Sequence, residues 1–158
     1  MTAAALHDRS GRCLCGGVRF HVSRLPADLH ACHCDNCRRI TGICSLAVKI
    51  AADDITITGG DLVASYPSSD WASRSFCSRC GSGLWFRMTA EPEAADYYLS
   101  AGLLDNRNGL RLVEEIYVDR KPDGYAFAGP AERLTGADFE ARLAGHASGP
   151  ASSPEETP

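Results

Sequence analysis

The chain lacks any apolar run near the roughly 18 residues of a membrane-spanning helix, and residues 1–9 hold nothing of signal-peptide length. These absences predict a cytoplasmic protein without a membrane partner. They also leave the cysteines without the oxidising setting that a disulfide framework needs, so eight cysteines in 158 residues point to metal binding. There is no βαβ rhythm, no Gly-rich phosphate loop and no internal repeat beyond the cysteine knuckles, which argues against nucleotide-cradling and solenoid architectures. No basic helix follows a cysteine pair. Formal net charge is −4 with neutral thiols, and thiolates holding two divalent ions would make it more negative. Such a surface does not suit a phosphate backbone, so nucleic acid is not an expected partner.

What the chain does have is length for one core, at 44% hydrophobic, and too little for two comfortable domains. A metal would supplement that core rather than replace it. Seven cysteines stand in short-spaced groups: Cys13 and Cys15, Cys32 with Cys34 and Cys37, and Cys77 with Cys80. A closed structural site takes four protein ligands, and a catalytic one keeps a position open. Two pairs supply four thiolates and the triplet supplies three, so the spacing predicts two Zn2+ per chain, one structural and one catalytic. Joining Cys13 and Cys15 to Cys77 and Cys80 would close a long loop, with the metal offsetting its entropy. A thioredoxin-type redox pair at Cys77 and Cys80 would open a helix, whereas Gly81 to Met88 reads as turn and strand.

The triplet has two readings. It is an open catalytic site, or a second structural site completed by His33, His30 or Cys44. His33 lies between two ligands in an extended piece, so its side chain should point away from theirs. Cys44 reads either as a small core residue or as a ligand. Arg38 and Arg39 follow the cluster and are candidates for gripping a substrate carboxylate. Asp35, His33 and His30 are candidates for proton handling.

Alternation of Val18, Phe20 and Val22 with Arg19, His21 and Ser23 predicts a strand with one buried face. Further strands are expected at residues 44–50, 55–57, 62–66, 84–88, 97–101 and 116–118, with residues 73–76 leading into the Cys77 to Gly81 knuckle. Asp35 is expected to cap a short helical turn over residues 36–40, stopped by Gly42. Thr135 with Asp138 predicts the N-terminus of a C-terminal helix that Gly145 ends. The start looks disordered. Residues 10–146 are expected to form a single zinc-binding, mainly β domain, and residues 147–158 a disordered tail.

Several stretches together resemble the glutathione-dependent formaldehyde-activating enzyme family, which includes centromere protein V. They are Gly11-x-Cys13-x-Cys15-Gly16-x-Val18, Cys32-His33-Cys34-x-x-Cys37-Arg38-x-x-x-Gly42, Phe76-Cys77-x-x-Cys80-Gly81, Leu104-Asp105, and Ile116-Tyr117-Val118 followed by Lys121-Pro122. The resemblance runs from Gly11 to about Phe127. It implies a β-tent fold of antiparallel sheets with zinc knuckles. It also implies structural zinc on Cys13, Cys15, Cys77 and Cys80, and catalytic zinc on Cys32, Cys34 and Cys37. The implied activity is that of a carbon–sulfur lyase acting on a small thiol adduct, similar to glutathione plus formaldehyde giving S-hydroxymethylglutathione. The implied partner is a small anionic thiol such as glutathione. The alternative is a zinc-stabilised binding or scaffold protein without catalysis. Two positions depart from the family's pattern: Glu115 stands where His is common, and Gly124 with Tyr125 stands where Trp is common.

Overall fold

The computed structural model describes residues 5–89 and 95–147. It is mainly β, with two sheets and a C-terminal helix. The first strands are β1 (Leu6–Arg12), β2 (Arg19–Leu25), β3 (Asp28–Cys32), β4 (Ser45–Ala51) and β5 (Ile55–Thr58). Then follow β6 (Val63–Ser69), β7 (Ala72–Cys77), β8 (Gly83–Met88), β9 (Asp96–Ser100), β10 (Arg111–Ile116) and β11 (Glu132–Leu134). The helices are α1 (Asp35–Thr41) and α2 (Gly136–Ala147).

The smaller sheet has the order β1-β2-β5, and the larger one β11-β10-β3-β4-β9-β8-β7-β6. Neighbours are antiparallel except at β10, which runs parallel to both β3 and β11. The sheets were expected to be antiparallel throughout, and the large one is mixed. β10 joins the edge of β3 only after β4 and β6 to β9 have intervened in the chain, and a long connection of this kind allows it to run in the same direction as β3.

β2 forms as its alternation requires: Phe20, Val22 and Leu25 are buried, while Arg19, His21 and Ser23 face out. These side chains meet Val48, Ile50, Leu84, Leu99 and Leu104 in one core. Val48 and Leu99, both fully buried, are directly paired across β4 and β9. Burying each such side chain stabilises the fold by about 1.5–3 kcal/mol. Cys13 and Cys77 belong to the same buried cluster, so one cysteine group sits at the edge of the core.

Four local expectations are corrected. β1 is a strand rather than a disordered start. Its sequence LHDRSGR lacks an apolar alternation, and pairing with β2 supplies the order. Cys34 caps α1 instead of Asp35, which sits in the first turn. Residues 116–118 do not continue as a strand. Tyr117 turns into the left-handed region (φ 57°), and its ring packs edge-on to Phe139, 5.7 Å between centroids. The C-terminal helix passes through Gly145 to Ala147. Of the tail expected to be disordered, residues 147–158, Ala147 is instead the last residue of α2, and the rest lies outside the described residues.

Candidate functional site

The Cys13 and Cys15 loop follows β1, and the Cys77 to Cys80 knuckle joins β7 to β8. Two local devices shape the knuckle. Gly81 adopts φ +75°, which lets its N–H donate back to the Cys77 carbonyl at 2.8 Å. Ser82 then binds the other loop: its hydroxyl accepts from the Leu14 N–H at 3.0 Å, and its carbonyl accepts from the Cys77 N–H at 2.9 Å. The four sulfurs therefore converge within 4.8 Å of one another. Cys13 and Cys15 sulfurs are 3.5 Å apart, and Cys15 and Cys77 sulfurs 3.8 Å. Four sulfurs on a tetrahedral Zn2+ at about 2.3 Å would lie about 3.8 Å from each other, so this donor set fits that ion. Hydrogen bonds from the Ser82 hydroxyl, then from the Ser82 and Cys15 amides, bring the Cys80 thiol down to about 5.

The second group is local. Cys32 ends β3, Cys34 is the N-cap of α1 with its sulfur accepting from the Cys37 N–H at 3.5 Å, and Cys37 is buried on the helix. Gly42 ends α1 with φ 90°. The three sulfurs lie within 4.8 Å of one another, and no fourth His, Cys, Asp or Glu donor joins them among the described residues. Hydrogen bonds from Cys32, then Cys37, lower the Cys34 pKa, while the hydrogen bond to Cys34 raises that of Cys32. The three thiols are thus coupled through their sulfurs, and a negative charge on the group is shared with its neighbours by hydrogen bonds. This set also fits Zn2+, with one coordination position to spare.

His33 does point away from its neighbours. It is fully buried, with Nε2 at 3.3 Å from Glu115 Oε2 and Nδ1 at 3.0 Å from the Tyr125 hydroxyl. His30 pairs through Nδ1 with Glu114 at 3.3 Å. Cys44 stands outside both clusters, half-buried. Burial raises its pKa, while a hydrogen bond with Tyr125 opposes the rise.

Arg38 and Arg39 both reach Asp35, at 2.8 and 3.6 Å, and Arg120 from the turn after β10 reaches the other oxygen of that carboxylate at 3.5 Å. The hydrogen bond from Arg38 is the main cause holding the Asp35 carboxyl below its usual range. Arg120 also lies over the Tyr117 ring at 5.0 Å. Burial first, and the Glu140 contact next, push Tyr117 up to about 12, with smaller contributions from the charges of Cys34 and Cys32. Tyr117 and Arg120 thereby join the surroundings of the triplet.

Sequence reasoning missed Arg74, Arg120 and the partnership of Glu115 with His33. Arg74 on β7 is buried and donates from Nη2 to the Cys37 sulfur at 3.2 Å. Glu115 is fully buried and also accepts from Arg133 Nε at 3.0 Å. The one signal available was charge: a Glu inside an apolar strand needs a buried cationic or donor partner.

The sequence pattern of the glutathione-dependent formaldehyde-activating enzymes matches residues 8–120. A provisionally named glutathione-dependent formaldehyde-activating enzyme of Halomonas elongata is 33% identical over 121 residues, covering 72% of this chain and 76% of its own. An uncharacterized lyase of Schizosaccharomyces pombe is 28% identical over 125 residues, covering 79% and 89%. The crystal structure of a Rhodobacter sphaeroides protein shares the fold with a TM-score of 0.51 and 24% identity, covering 61% of this chain and 88% of that one.

Proposed function

The chain belongs to the glutathione-dependent formaldehyde-activating enzyme family, and from that membership we propose a zinc-dependent carbon–sulfur lyase-type enzyme acting on the adduct of a small anionic thiol and an aldehyde. Glutathione and formaldehyde, giving S-hydroxymethylglutathione, are the reference pair. The single observation that carries the reading is the three-sulfur cluster without a fourth donor among the described residues. A scaffold role would call for a closed second site, which that donor count disfavours.

In this reading Cys13, Cys15, Cys77 and Cys80 hold a structural Zn2+, and Cys32, Cys34 and Cys37 a catalytic one, within a β-tent domain over residues 10–146 of a cytoplasmic protein. Bound Zn2+ supplies Lewis acidity and a position that favours a sulfur donor in its thiolate form. Cys32, Cys34 and Cys37 would present three converging sulfurs to that ion. Arg38, Arg39 and Arg120 carry more positive charge than Asp35 neutralises, and they take the carboxylate of the thiol. In the forward direction the thiol releases its proton to water as a thiolate, and the sulfur bonds to the carbonyl carbon. The C=O π pair moves to oxygen, and a proton returned from water completes the carbinol, with no net gain or loss of protons. The reverse reaction breaks that C–S bond and returns the aldehyde.

The test is a metal count on purified protein, followed by incubation with isotopically labelled formaldehyde and either glutathione, cysteine or 2-mercaptoethanol. Nuclear magnetic resonance then follows the hydroxymethyl thioether. The expected result is two Zn2+ per chain and faster adduct formation than in buffer, lost in Cys34→Ser. Adduct formation at the buffer rate with every thiol, despite full metal content, would overturn the enzyme reading.

A further inference from the structure

Arg74 is 8% exposed and, among the described residues, forms no ion pair with an Asp or Glu. A guanidinium stays protonated in any protein setting, so it needs another source of negative charge when buried. Its surroundings leave one. Nη1 donates to the Ser68 hydroxyl, the guanidinium lies over the Phe86 ring at 5.4 Å, and Nη2 donates to the Cys37 sulfur at 3.2 Å. Two of these contacts are neutral. The anion that balances Arg74 is the three-cysteine cluster itself.

We propose that Arg74 is a positioning residue of this cluster, whose fixed charge makes the fourth position of the centre select an anionic sulfur donor over a neutral one. This rests on the thiol reading above and names the device behind it. Three thiolates on a divalent ion leave one net negative charge. An incoming thiolate would double that charge in a half-buried site, and the cost of placing like charges together there is large. Arg74 cancels the resident charge in advance, so the thiolate enters a neutral unit. The Nη2–H to sulfur bond also draws electron density from Cys37 and fixes its orientation.

The placement of Arg74 in sequence gives the proposal an internal control. It stands on β7 three residues before Cys77, a member of the other cluster. A general distortion of the strand would disturb both clusters, whereas a charge effect would be confined to the triplet.

The experiment loads wild type, Arg74→Met, Arg74→Gln and Arg74→Lys with Co2+ and titrates each with 2-mercaptoethanol, which lacks a carboxylate and would bind as an anionic thiolate after losing its proton, and with imidazole, a neutral donor. Cobalt absorption reports both clusters, and a Cys34→Ser background isolates the four-cysteine contribution. The expected result is a loss of roughly 10-fold or more in 2-mercaptoethanol affinity for the Met and Gln variants, with imidazole affinity nearly unchanged. Lys should restore the thiol affinity. The sulfur-to-cobalt charge-transfer bands of the triplet should move to longer wavelength in the Met variant, because an unbonded thiolate gives up its electrons more easily. If the Met variant disturbs the four-cysteine bands, the Lys and Gln pair decides the matter, since these differ in charge but both donate hydrogen bonds. Equal thiol affinities across the series, parallel losses for thiol and imidazole, or rescue by Gln and not by Lys would each overturn the role of Arg74. A wild-type triplet that binds Co2+ but no thiol would overturn the thiol reading, and this inference with it.

Discussion

His33 Nε2 lies 3.3 Å from Glu115 Oε2, and both side chains are fully shielded from solvent. The contact ties β10 to the residue between two cysteines of the triplet. Beside it, the His33 N–H donates to the Ile116 carbonyl at 3.1 Å. Arg133 at 3.0 Å and Lys121 at 3.9 Å complete the charge around Glu115. The departure from the family's His at this position is therefore a self-consistent polar network. It holds the segment of Cys32 and Cys34 from behind, on the face opposite their sulfurs.

Removing that carboxylate leaves His33 and Arg133 without their shared acceptor. Glu115→Ala should cost about 3–5 kcal/mol, the usual range for breaking a buried charged pair. Glu115→Gln keeps one acceptor oxygen and should cost about 1–3 kcal/mol. Urea unfolding of metal-loaded protein measures both, and losses below about 0.5 kcal/mol would show that the network adds little.

The two cysteine groups should differ in what they hold together. Cys77 is buried in the core and joins β7 to the loop after β1, whereas Cys34 joins only the end of β3 to α1. Cys77→Ser should lower the melting midpoint by about 10 °C or more, and Cys34→Ser by clearly less. Graded chelation should remove the triplet's metal first while the far-ultraviolet signal of the sheets persists. Equal drops in the two variants, or metal and β signal lost together, would make the triplet a structural site.

Acid sensitivity should trace in part to Glu114. The hydrogen bond with His30, with help from Arg142, holds its carboxyl below the ordinary range despite opposing burial. A carboxyl lowered in the folded state contributes stability that is present above its unfolded pKa, about 4.3, and is lost as pH falls through the folded value. Wild type should therefore exceed Glu114→Gln in stability above that pH, and the gap should narrow on acidification. Denaturant midpoints of the two proteins, compared from neutral pH downwards, give the difference directly. A gap that widens in acid would contradict the assignment.

Carboxylate recognition should depend on the arginines that gather at Asp35. Calorimetric titration of zinc-loaded protein should show glutathione and cysteine binding more tightly than 2-mercaptoethanol. Arg38→Ala or Arg120→Ala should reduce that preference several-fold, consistent with the loss of a charge-assisted hydrogen bond, while 2-mercaptoethanol affinity holds. A preference left intact by both substitutions and by Arg39→Ala would remove this role from the cluster.

Short spacing along the chain settles part of this protein before any folding is considered. Cys32, Cys34 and Cys37 must meet because a strand end and one helical turn bring them together whatever the rest of the chain does. Gly81 and Gly42 take the left-handed conformations their turns require, and Val18, Phe20 and Val22 mark a buried strand face through a period of two. Even the turn of the buried His33 side chain away from the neighbouring cysteines follows from alternation along an extended segment. Among residues distant in the chain, ligand counting anticipates the meeting of Cys13 and Cys15 with Cys77 and Cys80, and the other long-range partnerships wait for the fold. β1 and the three-residue β11 have no periodicity of their own and exist through the strands beside them. Tyr117 leaves the β region where its local sequence favours a strand, because its ring packs against Phe139. Arg74 and Cys37 are 37 positions apart, and His33 and Glu115 are 82 apart. A charge seen in a sequence has no partner until the fold supplies one. The cysteines that gather in these clusters were therefore legible beforehand, and the charged side chains Arg74 and Glu115 beside them were not.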